Sequence, residues 1–220
     1  MRTCVHPSRG SIVVPLGANR QGAPTLTVVA RPTFPITGDA AADALLVRDP
    51  LALLIGMLLD QQVPMEWAFR GPATLSERLG GLDAARISAM SPEAVEAVFK
   101  EKPALHRYPG SMGKRTHALC RHIAETYGGD AARIWRGVSD PNVVFERLRA
   151  LPGYGDDKAR IMLAILGKRF GRAPEGWERI AAPFSDDRPR SAADVDSPEA
   201  LLRVREWKRA QKAKGATKSD

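Results

Sequence analysis

Between residues 37 and 210 apolar positions return every third or fourth residue, and the period-two alternation of strands is almost absent after residue 30. The pattern predicts an all-α domain over 37–210. Helices are expected over 39–46 and 51–59, the second announced by Asp49-Pro50, an N-cap followed by the residue that suits a first helical position. After Asp60-Gln61-Gln62-Val63-Pro64 a helix is expected over 65–69, a break at Gly71-Pro72, and another helix over 73–79. Two short helices should occupy 82–90 and 91–100, the second opened by Ser91-Pro92-Glu93-Ala94. Over 112–127, Leu119, Ile123 and Tyr127 share one face while Lys114, Arg115, Arg121 and His122 lie largely elsewhere, which makes an amphipathic helix. Val143, Val144, Leu148 and Leu151 mark a helix over 141–150, and Ile161, Ile165 and Leu166 mark one over 158–170.

The two ends read differently. Residues 1–36 are rich in Gly, Pro, Ser and Thr, and the apolar stretches 11–16 and 25–30 hint at strands without an evident partner, so a flexible extension is expected. From Arg203 to Lys218 seven basic residues stand against Glu206, which predicts a helix fraying into a basic tail over 211–220, suited to nonspecific phosphate contact or to a solvated face.

Charge narrows the function classes. Thirty-three Lys and Arg against 25 Asp and Glu give a net charge of +8, which favours a polyanionic partner. Cys4 and Cys120 are the only cysteines, too few for a disulfide framework, a four-cysteine zinc site or a four-thiolate iron-sulfur cluster. A reducing, cytoplasmic setting is expected. The longest apolar run, 51–59, is interrupted by Gly56 and is far short of the roughly 20 residues that span a bilayer. The N-terminus, with Arg2, His6, Arg9 and Arg20 between short apolar patches, lacks the features of a secretory signal. His106, His117 and His122 have no clustered carboxylate or cysteine, so no metal site is expected.

The stretch most informative about function is Leu151-Pro152-Gly153-Tyr154-Gly155-Asp156-Asp157-Lys158-Ala159, between two predicted helices. Glycines two apart permit a tight hairpin with outward amides, and such amides at the start of a helix attract an anion. In a basic protein a DNA phosphate is the natural one.

This hairpin resembles that of the helix-hairpin-helix superfamily, and the order of helices around it resembles the base-excision DNA glycosylases of that superfamily. The segment 53–62, ending in Gln61-Gln62, is similar to their early helix, which ends in a glutamine near the space vacated by an extruded base. Pro109-Gly110-Ser111-Met112-Gly113-Lys114-Arg115 stands where the family has a short glycine-containing turn before a helix. The resemblance covers about residues 45–177. It implies DNA contacts from Leu151, Pro152, Gly153, Tyr154, Gly155, Lys158, Gln61, Gln62, Lys114 and Arg115. The partner it implies is double-stranded DNA with a damaged base, bound by a monomer.

The family also places a catalytic aspartate about twenty residues after the second hairpin glycine. Here the loop 171–177 has Glu175 at that place, one methylene longer. Asp186 and Asp187 are reserve carboxylates, and Trp177 is a candidate for stacking on a flipped base. Members with lyase activity carry a lysine on the second residue after the hairpin; this chain has Asp157 there, so no lyase activity is expected, and no iron-sulfur cofactor. Three readings stay open: a monofunctional glycosylase with a slight lean to alkylated purines, a noncatalytic DNA-binding or lesion-sensing protein on the same scaffold, and a structural helical protein whose hairpin is only a turn.

Overall fold

The helices begin where short polar side chains precede them. Asp39, Asp49, Asp83, Ser91, Asp140 and Ser197 each accept a backbone amide in the first turn of the helix that follows. After four of them a proline takes the first helical position: Pro50, Pro92, Pro141 and Pro198. This pairing satisfies one orphan donor and removes another.

The computed structural model describes residues 13–15, 26–28 and 32–215. The chain divides into a unit over 1–32 and a unit over 33–220. In the first, β1 (Val13–Pro15) and β2 (Leu26–Val28) pair antiparallel, Val13 opposite Val28 and Pro15 opposite Leu26. The two apolar stretches therefore partner each other. The remainder of the expected flexible extension, up to residue 31, lies outside the described residues.

The second unit is all-α among its described residues. Its helices are α1 (Ala40–Arg48), α2 (Pro50–Leu59), α3 (Met65–Leu79), α4 (Ala84–Ala89), α5 (Pro92–Lys100) and α6 (Pro109–Tyr127), then α7 (Pro141–Arg149), α8 (Asp156–Lys168), α9 (Trp177–Ala181) and α10 (Pro198–Ala213). At the centre lies α2, buried from Leu51 to Leu59 and packed against α1, α3, α6 and α8. A helix apolar all round has no face to offer water, so its neighbours must surround it.

Four boundaries differ from the sequence reading. The helical unit starts earlier than residue 37, because Phe34 and Ile36 are core residues, with the Phe34 ring edge-on to Phe69 at 5.4 Å and Phe170 at 5.9 Å. The expected break at Gly71-Pro72 is absent, and α3 runs straight through it. Gly71 is there for packing: a Cβ would sit 2.6 Å from Leu59 Cδ1. Likewise 109–115 is the first two turns of α6 and not a turn before it. A Cβ on Gly113 would come within 2.9 Å of Glu96 Cα, so this glycine lets α5 and α6 approach closely. Finally, 211–213 still belongs to α10; the end of the expected tail, 216–220, lies outside the described residues.

Candidate nucleic-acid interface

The hairpin joins α7 to α8, and its sequence divides cleanly between anchors and exposed backbone. Leu151 and Tyr154 are buried. Their amides are used inside the turn, Leu151 N–H donating to Leu148 O at 3.2 Å and Tyr154 N–H to Leu151 O at 3.0 Å. The Tyr154 hydroxyl donates to Leu54 O of α2 at 2.8 Å, and full burial holds its phenol well above the usual tyrosine range. Pro152 has no amide to give. Gly153 and Gly155 are exposed, and their N–H groups donate to no protein acceptor among the described residues.

Leu151, Pro152 and Tyr154, expected as DNA contacts, therefore hold the turn in shape, while the two glycines present donors outward. Gly153 sits at φ +82°, and a Cβ there would lie 2.4 Å from Leu58 Cδ1 and 3.9 Å from Arg115 Cδ. Only glycine permits both that angle and that approach. Gly155 has room around it. Beyond it, Asp156 and Asp157 occupy the first turn of α8, and their carboxylates offset the positive end of the helix. A phosphate would thus be met by the glycine amides rather than by the helix terminus.

Lys158 points inward, which corrects its expected place on a phosphate. Its Nζ donates to Leu58 O at 3.3 Å, to Asp60 O at 3.1 Å and to Met57 O. The physical reason is that α2 carries no basic residue in its own last turn, so its terminal carbonyls recruit a cation from α8. Gln61 Nε2 donates to Leu58 O at 2.7 Å, and His106 Nε2 lies 3.2 Å from Leu59 O and 3.0 Å from Gln61 O. Burial pushes the His106 imidazole below its ordinary pKa; its carbonyl partners partly offset this, and the Lys158 charge adds to it.

Gln62 follows this cap with φ +56°, the one non-glycine residue at positive φ among those described. Such a conformation costs of order 1 kcal/mol or more and is held by what surrounds it. The Gln62 side chain is exposed and meets the Tyr108 hydroxyl at 3.4 Å. Gln61, by contrast, is engaged by Arg115, whose Nη1 donates to Gln61 Oε1 at 2.8 Å. Arg115, the Gln61-Gln62 turn and the hairpin are therefore contiguous. Lys114 is directed elsewhere, to Glu96 of α5 at 3.5 Å.

Beside the Gln61-Gln62 turn opens a cleft of about 840 Å³, walled by residues 60–66, by Asp157 and Lys158, and by Arg205, Lys208 and Arg209 of α10. Glu175 does not line it. That residue is exposed, in the loop before α9. Asp186 pairs with Arg190 at 3.0 Å and with Arg188 at 3.9 Å, and Asp187 borders a separate cleft with Lys168 and Arg203. Trp177 packs on α8, where Gly167 makes room for its indole, so it supports the fold. Among the described residues no group of His, Cys, Asp and Glu could hold a metal ion, and no helix is long and apolar enough to cross a membrane.

Two features of the site were missed in the sequence. Trp67 and Tyr108, each 42% exposed, flank the buried His106 ring at 6.3 and 6.1 Å; aromatic residues in helical segments carry no mark of which will face water. Glu66 and Arg205, 139 positions apart, form an ion pair in the wall of the cleft. Glu66 had a local signal in its place just after the Gln-Gln turn; Arg205 stood out only as one of the basic residues of 203–218, with nothing to mark its pairing.

No family model and no curated protein sequence matches the chain. Among solved structures it matches a trapped covalent complex of endonuclease III with DNA, described as an estranged-adenine complex, at 18% identity and a TM-score of 0.40. The match covers 72% of this chain, which spans 64% of the length of that one.

Proposed function

We propose that the protein acts in DNA base-excision repair as a monofunctional N-glycosylase, removing a damaged base that it turns out of the duplex. The observation that carries this reading is the hairpin: two exposed glycine amides with no acceptor among the described residues, fixed by Tyr154 and Gly153 onto the helix whose end forms the Gln61-Gln62 turn. Gripping a strand at the hairpin would bring the turn and its cleft against the neighbouring nucleotides. A cleft of about 840 Å³ is large enough for an extruded base. Gln62, exposed and held in a left-handed conformation, would enter the space such a base leaves. With Asp157 where a Schiff-base lysine would be needed, hydrolysis without lyase chemistry is the reaction that fits.

One observation favours a second reading, a lesion-binding protein without catalysis: Glu175, the carboxylate expected from the resemblance, lies outside the cleft. Duplexes each carrying one lesion, incubated with the protein and then treated with alkali, separate the two. Strand breaks at the lesion support the glycosylase; tight binding without breaks supports the sensor. Affinity that does not fall as salt rises would sink both, because phosphate contacts release counterions.

A further inference from the structure

The cleft wall already holds one carboxylate turned away from water, and it already holds a cation on it. Glu66 stands in the first turn of α3, four residues after Gln62, with its side chain 17% exposed and both carboxylate oxygens shielded from solvent. Its partner is the guanidinium of Arg205, which reaches across the cleft from α10 and is itself 42% exposed. The cap residue before α3 is Pro64, which makes no side-chain cap, so the positive end of that helix also faces Glu66.

From this we infer that Glu66, and not Glu175, is the carboxylate the cleft offers to a bound nucleotide, and that Arg205 occupies its place until the ligand arrives. The inference rests on the glycosylase reading. A shielded carboxylate left without a partner is costly, so whatever displaces Arg205 must itself be positively charged. Arg205, being partly in water, loses little itself by moving to a DNA phosphate, so the cost of the exchange falls on Glu66 until a positive charge takes the guanidinium's place. In base hydrolysis the bond from the sugar C1′ to the base nitrogen breaks and its electron pair departs with the base. Water adds to C1′, and the proton that water loses ends on the departing base. Positive charge develops on the sugar ring while that bond is breaking, and a carboxylate facing it lowers the barrier. Asp60 and Asp157 border the same cleft, but Asp157 is exposed on the α8 terminus, and Asp60 does not have its carboxylate oxygens shut off from solvent as Glu66 has.

The test compares affinity for two duplexes, one with a cationic pyrrolidine in place of the target nucleotide and one with a neutral tetrahydrofuran. The full-length protein should prefer the cationic site. Glu66→Gln should lose that preference, by about tenfold or more, as expected for one charge-assisted contact. Glu175→Gln should keep it. Arg205→Ala should bind the cationic duplex with an equal or larger preference, and it serves as the second arm if Glu66→Gln lowers the unfolding temperature. No preference in the wild type, a preference that survives Glu66→Gln, or one that shrinks in Arg205→Ala overturns the inference while leaving DNA binding intact. Failure to bind either duplex at low salt sinks the glycosylase reading, and this inference with it.

Discussion

The hydroxyl of Tyr154 donates to the carbonyl of Leu54 at 2.8 Å, tying the hairpin to the helix that ends in the Gln61-Gln62 turn. Both groups are buried, and Leu54 sits mid-helix, so the bond fixes the distance between the hairpin and the Gln61-Gln62 turn. Tyr154→Phe removes it without opening a cavity. A stability loss of about 1 kcal/mol is expected, or roughly 2–4 °C in Tm for a chain of this size. The pH dependence follows from the raised pKa. The folded state holds the phenolic proton more tightly than the unfolded chain, so this contribution is intact below about pH 10 and is lost as pH rises from there toward the folded value. Thermal unfolding between pH 8 and 11 should show a steeper fall in the wild type than in Tyr154→Phe.

Much of this arrangement was legible in the sequence, and what was not follows a pattern. Helix starts were visible because Asp49-Pro50, Ser91-Pro92 and the hairpin act over three or four residues. The all-α class was visible because the apolar period is local as well. Direction of side chains was not: Lys158 looked like a phosphate ligand, and its inward turn depends on carbonyls about a hundred residues earlier. The glycines of 109–115 misled for the same reason, since a glycine that opens a turn and a glycine that lets two helices touch are spelled alike. Glu175 was placed by spacing from the hairpin; the loop that carries it does not reach the cleft wall.

His106 should make the Gln61-Gln62 turn sensitive to mild acid. Its Nδ1 accepts from the Tyr108 amide at 3.0 Å, so the hydrogen-bond pattern puts the proton on Nε2, facing the Leu59 and Gln61 carbonyls. A second proton would set one N–H against another. The folded pKa lies below the unfolded value, so the contribution is intact above about pH 6.5 and drains as pH falls from there through the folded value. His106→Gln, which titrates no proton there, should flatten the decline in Tm between pH 7 and 5. An identical slope in wild type and variant would show that this ring does not govern the turn.

The two hairpin glycines should separate folding from binding. At Gly153 any side chain meets Leu58 at a positive φ, and Gly153→Ala should cost about 1–3 kcal/mol. Gly155 has an extended backbone, φ −119° and ψ −175°, with open space around it. Gly155→Leu should cost no more than about 1 kcal/mol, or roughly 2–4 °C in Tm, since leucine is a poorer N-cap than glycine but meets no neighbour there, yet place a bulky side chain where a phosphate would approach. Duplex affinity at low salt should fall about tenfold. Unchanged affinity would remove the hairpin from the interface.

Gly113 offers the converse test, because its glycine serves helix packing alone. A Cβ at this position would press on the backbone of Glu96, at 2.9 Å from Cα and 3.3 Å from N. Backbone cannot rotate aside as a side chain can, so Gly113→Ala must push α5 away from α6 or lose contact along their seam. A cost of about 1–3 kcal/mol is expected, set against the few tenths to 1 kcal/mol that alanine gains over glycine within a helix. The net effect should be a Tm several degrees lower, with the salt dependence of DNA binding unchanged at a temperature where the variant is still folded. If Gly113→Ala instead kept its Tm, close packing of α5 on α6 would not be what requires a glycine at this position.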